Sequence, residues 1–266
     1  MVELSSIDRL VEIMAQLRDP EKGCPWDRKQ TYKTIVPYTL EEAYEVADAI
    51  EREDFDELKS ELGDLLFQVV FYSQIAKEEG RFTFDDVAAD IADKMHRRHP
   101  HVFADANFET EEQLGSAWEA IKAQERQQQP DNSALAGVTK GLPALMRAQK
   151  LTKKASKVGF DWPNPEGAFD KMVEEVAEVR EAWTSADRDH LADELGDILF
   201  VMTNIIRKLG FESEEIMRAA NNKFERRFRA MEQYLAAQGH DDMTQLELEQ
   251  MESAWQEIKK VEKKNV

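Results

Sequence analysis

The sequence contains the same acidic and apolar octet twice. Residues 60–67 read SELGDLLF and residues 193–200 read DELGDILF, with Glu, Leu, Gly, Asp, Leu and Phe at matching places. A glycine inside a helical pattern costs roughly 1 kcal/mol relative to alanine. Because this destabilising residue is present in both octets, at Gly63 and Gly196, we expect it to have a role other than forming the helix. We expect each glycine to leave room for a close helix or a ligand.

The repeat extends over most of the chain. Four further blocks recur in the same order: GCPW and GFDW, LEEAYEV and VEEVAEV, KMHRRH and KFERRF, SAWEAIK and SAWQEIK. A period above 100 residues indicates duplicated domains instead of a solenoid of short repeats. We predict one domain over residues 1–123 and a second over 142–266. Residues 124–141 are polar, contain one proline and two glycines, and are typical of a linker.

Apolar residues follow a helical period, whereas the alternation typical of strands is weak. From Leu195 to Leu209 they recur every three or four positions, which predicts one apolar stripe along a helix. Residues 54–79 repeat this pattern. Gly80 and Gly210 follow the two segments and predict the ends of their helices. The sequence therefore predicts an all-α protein of two tandem helical bundles, each with four or five helices.

Composition excludes several classes of protein. The 266 residues are 42% hydrophobic and 33% charged, which is typical of a globular protein, and the net charge is -19. So acidic a chain is not expected to bind nucleic acid or an anionic membrane, although metal ions can bridge it to small phosphorylated ligands. Cys24 is the single cysteine, and no stretch has the features of a signal peptide or membrane span. We expect a soluble cytoplasmic protein.

Carboxylates occur as pairs three positions apart, a spacing that places both on one face of a helix. The second half has Glu175 with Glu178 and Glu194 with Asp197; the first half has Glu42 with Glu45 and Glu61 with Asp64. Sixteen positions separate the two pairs in both halves. Two helices joined by a short connection run antiparallel and can bring the four carboxylates of each half together.

Such a quartet predicts a metal site. Clustered carboxylates repel one another unless a cation compensates them, and oxygen ligands suit Mg²⁺ or Mn²⁺. Four carboxylates exceed what one Mg²⁺ usually takes, which favours two or more ions that share phosphate oxygens. The alternative is a solvated acidic face, because 54 of the 266 residues are acidic. The duplication of the pairs at matched separation favours the metal site.

Basic residues follow each quartet as Lys-x-x-Arg-Arg. They are Lys94, Arg97 and Arg98 in the first half and Lys223, Arg226 and Arg227 in the second. One interpretation is a phosphate clamp, because arginine offers planar paired donors. The other is pairing within the helix, for example with Glu225. Lys171 stands one helical turn before Glu175, where the first half has Tyr38.

Aromatic and histidine residues leave alternatives open. Trp162 and Trp255, with Trp26 and Trp118 as their counterparts, can stack on a nucleotide base or fill a core. His96, His99 and His101 invite a metal interpretation, but the second half has Glu225 and Phe228 at the first two of these positions and Pro100 breaks the helix. We expect these histidines to be structural or exposed.

The chain resembles the MazG family of nucleoside triphosphate pyrophosphohydrolases in its long form with tandem domains. The resemblance rests on GCPWD, EEAYEV, SELGDLLF, RRHPHVF, LPALMRAQK, VGFDW and KFERRF, which together cover nearly the whole sequence. It implies an all-α bundle that usually forms homodimers. It also implies Mg²⁺-dependent cleavage of nucleoside triphosphates between the α- and β-phosphates to a nucleoside monophosphate and pyrophosphate.

The resemblance also implies roles for individual residues. Glu175, Glu178, Glu194 and Asp197 match the family's catalytic, metal-binding acids; Lys171, Glu174, Asp193, Lys223, Arg226, Arg227 and Trp255 match positions that contact nucleotide. The first half keeps Glu42, Glu45, Glu61 and Asp64, but Tyr38 stands in place of a lysine and Trp26 is further from its acids than Trp162 is. We expect the second half to carry most of the hydrolysis and the first to serve structure or regulation.

Two rival functions remain at the level of sequence. A dUTPase-like, pyrimidine-selective diphosphohydrolase shares paired acids on helices, and a non-catalytic helical nucleotide sensor or adaptor would bind nucleotide without releasing pyrophosphate. The products formed from a panel of nucleotides distinguish all three.

Overall fold

The computed structural model describes residues 4–104, 110, 113–115, 117–118, 121, 125, 131 and 133–264. Over this part of the chain all regular structure is helical, which confirms the predicted all-α class. None of the described helices has the length and hydropathy needed to cross a membrane. The chain divides into two compact units, Met1–Glu125 and Arg126–Val266.

The helices of the two units follow one another with short connections. In the first unit they are α1 (Ser6–Leu17), α2 (Tyr32–Glu51), α3 (Phe55–Glu78), α4 (Phe84–Arg98) and the short α5 (Pro100–Phe103), with a 3-10 turn at Asp27–Lys29. In the second unit they are α6 (Ala144–Ser156), α7 (Glu166–Ser185), α8 (Arg188–Lys208), α9 (Ser213–Ala237) and α10 (Leu248–Lys264), with a 3-10 turn at Met243–Gln245.

Local chemistry sets the helix ends. The side chain of Asp54 accepts from the backbone N–H of Glu57 at the start of α3, and Asp187 caps α8 in the same way. Gly80 and Gly210 follow α3 and α8 with φ of 66° and 83°, a left-handed conformation that suits glycine. The two predicted helix ends are confirmed.

Each unit is built around one long helical hairpin. Helices α2 and α3 pack along each other, as do α7 and α8. Residues 52–54 join the first pair and residues 186–187 join the second, and connections this short make each pair antiparallel. The hairpins bring the two acid pairs of each half onto neighbouring helices, as the sequence predicted.

The first unit has one apolar core and the second has two smaller ones. Met14, Ile35, Val70, Phe71 and Ile75 form the core between α1, α2 and α3. In the second unit Ala168, Val201 and Ile205 pack between α7 and α8. Met231, Leu235 and Ala254 pack between α9 and α10.

Only part of the predicted stripe on α8 is buried within its unit. Ile205 is 3% exposed, but Leu195, Leu199 and Met202 are 47%, 60% and 44% exposed. The matching residues of α3, which are Leu62, Leu66 and Val69, are also exposed. The same apolar face is therefore uncovered at matching positions in both units.

The predicted linker is described only in part, because residues 124, 126–130 and 132 lie outside the described residues. The C-terminal part of the predicted linker packs against α6 of the second unit. Ala136 is buried, and its carbonyl oxygen accepts a hydrogen bond from Lys154 Nζ of α6. The domain boundaries at 123 and 142 stay predictions.

Candidate functional site

Helices α7 and α8 bring three carboxylates of the second unit together. One oxygen from each of Glu175, Glu194 and Asp197 lies within 4.8 Å of the others. Glu175 is 3% exposed, Glu194 is half-buried and Asp197 is exposed, so the group opens from the helix pair toward solvent. Glu178, the fourth predicted acid, lies one turn further along α7 and outside this group of three.

Lys171 supplies the counter-charge of this cluster. Its Nζ lies 2.6 Å from Glu174 and 2.8 Å from Glu175, and 3.8 Å from Glu178. Hydrogen bonds to Glu174 and Glu175 raise the pKa of Lys171, which keeps the ammonium charged. The buried Glu175 carboxylate thus has a cation beside it, as burial of an ionised group requires.

One ammonium does not balance the surrounding carboxylates. Burial raises the pKa of Glu178, and Glu175 and Glu194 raise it further, while Lys171 opposes them. A raised pKa at a carboxyl group beside other carboxylates is the signature of uncompensated negative charge. Oxygen donors with excess negative charge fit a hard divalent cation such as Mg²⁺ or Mn²⁺.

The first unit also brings three carboxylates together, without a lysine beside them and with the second acid of the first pair in place of the second acid of the other pair. Glu42, Glu45 and Glu61 each place an oxygen within 4.8 Å of the others. Burial raises the pKa of Glu42, and Asp64 and Glu45 raise it further. Burial also raises the pKa of Glu61, followed by Glu45 and Asp64. Tyr38 packs edge-on against Trp26, with 5.8 Å between ring centroids.

The glycines of the two octets do not mark close helix contacts. A Cβ placed on Gly63 or Gly196 would meet no described atom within 4 Å outside its own helix turn. The predicted close approach of another helix is therefore wrong for the described residues. The open space beside each acid pair leaves room for a ligand.

The paired arginines form ion pairs with glutamates in each unit. Arg227 Nε lies 2.7 Å from Glu262 on α10, and Arg226 Nη2 lies 3.2 Å from the same carboxylate. In the first unit Arg98 Nη2 lies 2.5 Å from Glu125. Pairing inside the helix with Glu225 is not what holds these arginines. The side chain of Arg226 remains 64% exposed, so it is accessible to a phosphate group.

The other predicted nucleotide-binding residues have simpler surroundings. Asp193 and Lys223 are exposed, and Glu174 is paired with Lys171. Trp255 is half-buried, with its ring centroid 5.5 Å from that of Phe224, and it packs on the core between α9 and α10. These contacts fit the interpretation that Trp255 fills part of the core. Part of the Trp255 side chain stays accessible to solvent.

Trp162 borders an open apolar cavity of about 610 Å³. Leu151, Phe160, Phe200 and Val201 form part of its walls. Gly167 permits the close position of the indole, because a Cβ there would lie 2.3 Å from Trp162 Cδ1. Two residues of the cavity wall, Phe200 and Val201, follow Asp197 by one helical turn on α8.

Two residues beside the clusters were not among the predicted site residues. His190 Nδ1 lies 3.3 Å from Glu194 Oε1, a contact that their spacing of four on α8 signals. Gln68 Nε2 donates to Glu42 Oε1 at 3.4 Å. Only the tertiary structure identifies Gln68, because it lies on α3 and Glu42 lies on α2.

The three histidines of the first unit pack against aromatic rings and the backbone. His99 Nδ1 lies 2.7 Å from the Met95 carbonyl oxygen, and its ring contacts Trp118 edge-on at 5.3 Å. His96 stacks on Phe103. His101 lies 5.6 Å from His99, between ring centroids. Among the described residues the groups with metal-ligand geometry are the two carboxylate clusters alone.

Comparison with known proteins identifies the same duplication in the two halves of the chain. The MazG nucleotide pyrophosphohydrolase domain matches residues 30–103 and 164–231. The chain is 54% identical over 261 residues to the nucleoside triphosphate pyrophosphohydrolase of Escherichia coli, which covers 97% of this chain and 99% of that protein. It is 42% identical over 252 residues to the nucleoside triphosphate pyrophosphohydrolase/pyrophosphatase MazG of Thermotoga maritima, with 95% of each chain covered. The chain belongs to the MazG family of nucleotide pyrophosphohydrolases.

Proposed function

We propose that this protein hydrolyses nucleoside triphosphates between the α- and β-phosphates, to a nucleoside monophosphate and pyrophosphate, at the carboxylate cluster of the second unit. The observation that carries the proposal is the convergence of Glu175, Glu194 and Asp197 within 4.8 Å beside Lys171. The names of the long relatives from E. coli and T. maritima support the same reaction. Removal of non-standard or surplus nucleotides is the housekeeping role that fits such a reaction.

The cation in this proposal is Mg²⁺, with Mn²⁺ as a substitute, held by Glu175, Glu178, Glu194 and Asp197. When bound, it supplies neutralisation of the triphosphate charge and polarisation of the α-phosphorus. The donor set supports this choice, because it consists of carboxylate oxygens without a sulfur ligand. The net charge of -19 makes such a bridge necessary for an anionic substrate.

In this proposal the side chains of the site transfer a proton and stabilise negative charge. A carboxylate of the cluster accepts the proton of the attacking water. Lys171, held by Glu174 and Glu175, presents an ammonium to the charge that develops on the leaving pyrophosphate. Arg226 adds an exposed guanidinium, while the ion pair of Arg227 with Glu262 fixes the helix that carries both.

The same observations support hydrolysis in the second unit. Both units hold a carboxylate cluster, but only the second has a lysine one turn before its first acid pair. In the first unit Tyr38 takes that position and turns to Trp26. A phenol there supplies no positive charge for a leaving group, so we assign the first unit a structural or regulatory role.

We further propose that the protein is a homodimer in the cytosol. Val173 and Leu199 are 72% and 60% exposed on the two helices that carry the second cluster. An apolar face that recurs at matching positions in both units is suited to contact with a second copy of the chain. A single, unpaired Cys24 is compatible with a reducing compartment.

Removal of divalent cations should abolish pyrophosphate release, and Mg²⁺ or Mn²⁺ should restore it. Glu178→Gln and Asp197→Asn should each lower kcat by orders of magnitude and to a similar extent, because ligands of one cluster act as a unit. Glu181→Gln, an exposed acid on the same helix, is the matched control and should keep activity. Full turnover in excess EDTA would contradict the metal mechanism.

Replacement of Lys171 by tyrosine, the residue of the first unit, should lower kcat for pyrophosphate release. Loss of one preorganised charge-stabilising donor typically costs on the order of 10²-fold. The measurement is steady-state release of pyrophosphate from ATP and dUTP. Lys153→Tyr changes an exposed lysine of α6 in the same way and should have little effect. Equal rates for Lys171→Tyr and the unmodified protein would exclude this role of the ammonium.

Light scattering should give about twice the 30.7 kDa mass of the chain at micromolar concentration. Leu199→Glu should shift the mass toward that of one chain, because it places a charge on the uncovered apolar face. Val261→Glu, at an exposed apolar residue of α10, is the matched control and should leave the mass unchanged. A single-chain mass for the unmodified protein would refute the homodimer.

A further inference from the structure

Two adjacent arginines of α9 share one carboxylate of α10. Arg227 Nε lies 2.7 Å from one oxygen of Glu262. Arg226 Nε and Nη2 lie 3.3 Å and 3.2 Å from the other oxygen. Glu262 therefore accepts hydrogen bonds from both guanidinium groups, one through each of its oxygens. The hydrogen bond from Arg227 is the largest cause of a lowered pKa at Glu262, so the carboxylate stays ionised at neutral pH.

The two arginines differ in their exposure to solvent. The side chain of Arg227 is 23% exposed, whereas that of Arg226 is 64% exposed. Arg226 contacts Glu262 through Nε and Nη2, which leaves the N–H groups of Nη1 outside this contact. Because a guanidinium is planar, a contact along one edge sets the direction of the others. Arg226 thus has a defined orientation while most of its side chain faces solvent.

The carboxylate lies on the face of α10 that packs against α9. Residues spaced four apart form the contact on each helix: Leu235, Met231 and Arg227 on α9, and Ala254, Ile258 and Glu262 on α10. The first two of each set belong to one apolar core, and the third residues form the ion pair. Packing of this core therefore places the backbone of Glu262 beside the arginines.

The first unit contains a looser version of the same arrangement. Arg98 Nη2 lies 2.5 Å from Glu125, but Arg97 Nη2 lies 3.8 Å from it, beyond hydrogen-bond distance. Glu125 and Glu262 each follow a tryptophan by seven residues in the matching SAW blocks. The second arginine of each pair is thus held by the glutamate in both units. The first arginine of the pair is hydrogen-bonded to it only in the second unit, for which we propose hydrolysis.

We propose that Glu262 is a positioning residue for nucleotide binding, which holds the guanidinium of Arg226 in the orientation that meets a phosphate group. This inference rests on the proposed function, in which Arg226 serves the triphosphate. Immobilising a long side chain on binding typically lowers affinity about two- to tenfold, and an arginine held beforehand avoids that loss. Glu262 also repels a phosphate, but two guanidinium groups outweigh its charge and salt screens exposed charges.

The test measures nucleotide binding without hydrolysis. Isothermal titration calorimetry with Mg²⁺ gives the Kd of the full-length protein for α,β-methylene-ATP, which cannot be cleaved between its α- and β-phosphates. Glu262→Gln should raise this Kd about two- to tenfold. Arg226→Gln should raise it about ten- to a hundredfold, as loss of a charge-assisted hydrogen bond does. Adding Glu262→Gln to Arg226→Gln should have no further effect, because Glu262 acts through that arginine.

Matched variants separate orientation from loss of charge. Glu257→Gln removes another exposed carboxylate of α10, and Glu125→Gln breaks the corresponding ion pair of the first unit. Both should leave the Kd unchanged. Arg226→Lys keeps the charge but lacks the planar edge, so it should raise the Kd as Glu262→Gln does. Because Arg226 is exposed, this variant tests the proposal even if Glu262→Gln unfolds; circular dichroism and thermal unfolding verify each fold.

Several results would overturn the proposal. Unchanged or tighter binding by Glu262→Gln would do so, since it would make Glu262 a bystander or a competitor of phosphate. Equal weakening by Glu262→Gln with and without Arg226 would show that it acts through helix packing instead. An unmodified protein that does not bind the analogue, or unchanged binding by Arg226→Gln or Arg226→Lys, would also overturn it. If the analogue follows the expected pattern but ATP releases no pyrophosphate, the proposed function fails and the positioning role stands.

Discussion

Mutual repulsion of clustered carboxylates acts in both helical hairpins of this protein. Each helical hairpin holds three carboxylate groups with oxygens within 4.8 Å of one another, partly shielded from water. In that setting like charges are costly unless a cation or a proton compensates them. Burial is the largest cause of the raised pKa values of Glu42, Glu61 and Glu178, and neighbouring carboxylates raise each of them further. The hairpins therefore hold an arrangement that a cation stabilises, and the fold supplies the rigidity to maintain it.

The duplicated chain meets this constraint in two ways. In the second unit Lys171 contacts the buried Glu175 and lies 3.8 Å from Glu178. In the first unit tyrosine stands in place of the lysine, and the buried amide of Gln68 lies beside Glu42. The two hairpins therefore hold similar carboxylates among different neighbours. An arginine–glutamate ion pair recurs in both units, between Arg98 and Glu125 and between Arg227 and Glu262.

Much of the fold and the centre of the site could be predicted from the sequence, because both depend on local spacing. Helix faces follow from the octets and the acid pairs, and helix ends follow from the glycines at 80 and 210. Each of these signals acts over only a few residues of sequence. Contacts between distant segments could not be predicted in this way. The pairing of Arg227 with Glu262 and the contact of Gln68 with Glu42 depend on which helices pack together. The exposed edge of the α8 stripe, at Leu195 and Leu199, shows why: periodicity identifies an apolar face but not what covers it.

Our proposal is that the second unit of this MazG protein cleaves nucleoside triphosphates to a monophosphate and pyrophosphate. The most direct measurement is quantitative product analysis with Mg²⁺ on the unmodified protein and on two matched variants, Glu178→Gln with Glu194→Gln and Glu45→Gln with Glu61→Gln, both verified as folded. We expect nucleoside monophosphate and pyrophosphate in equal amounts from the unmodified protein, neither product from the first variant, and the larger share of activity in the second. Orthophosphate as the product, no product at all from the unmodified protein, or equal loss in both variants would contradict this assignment.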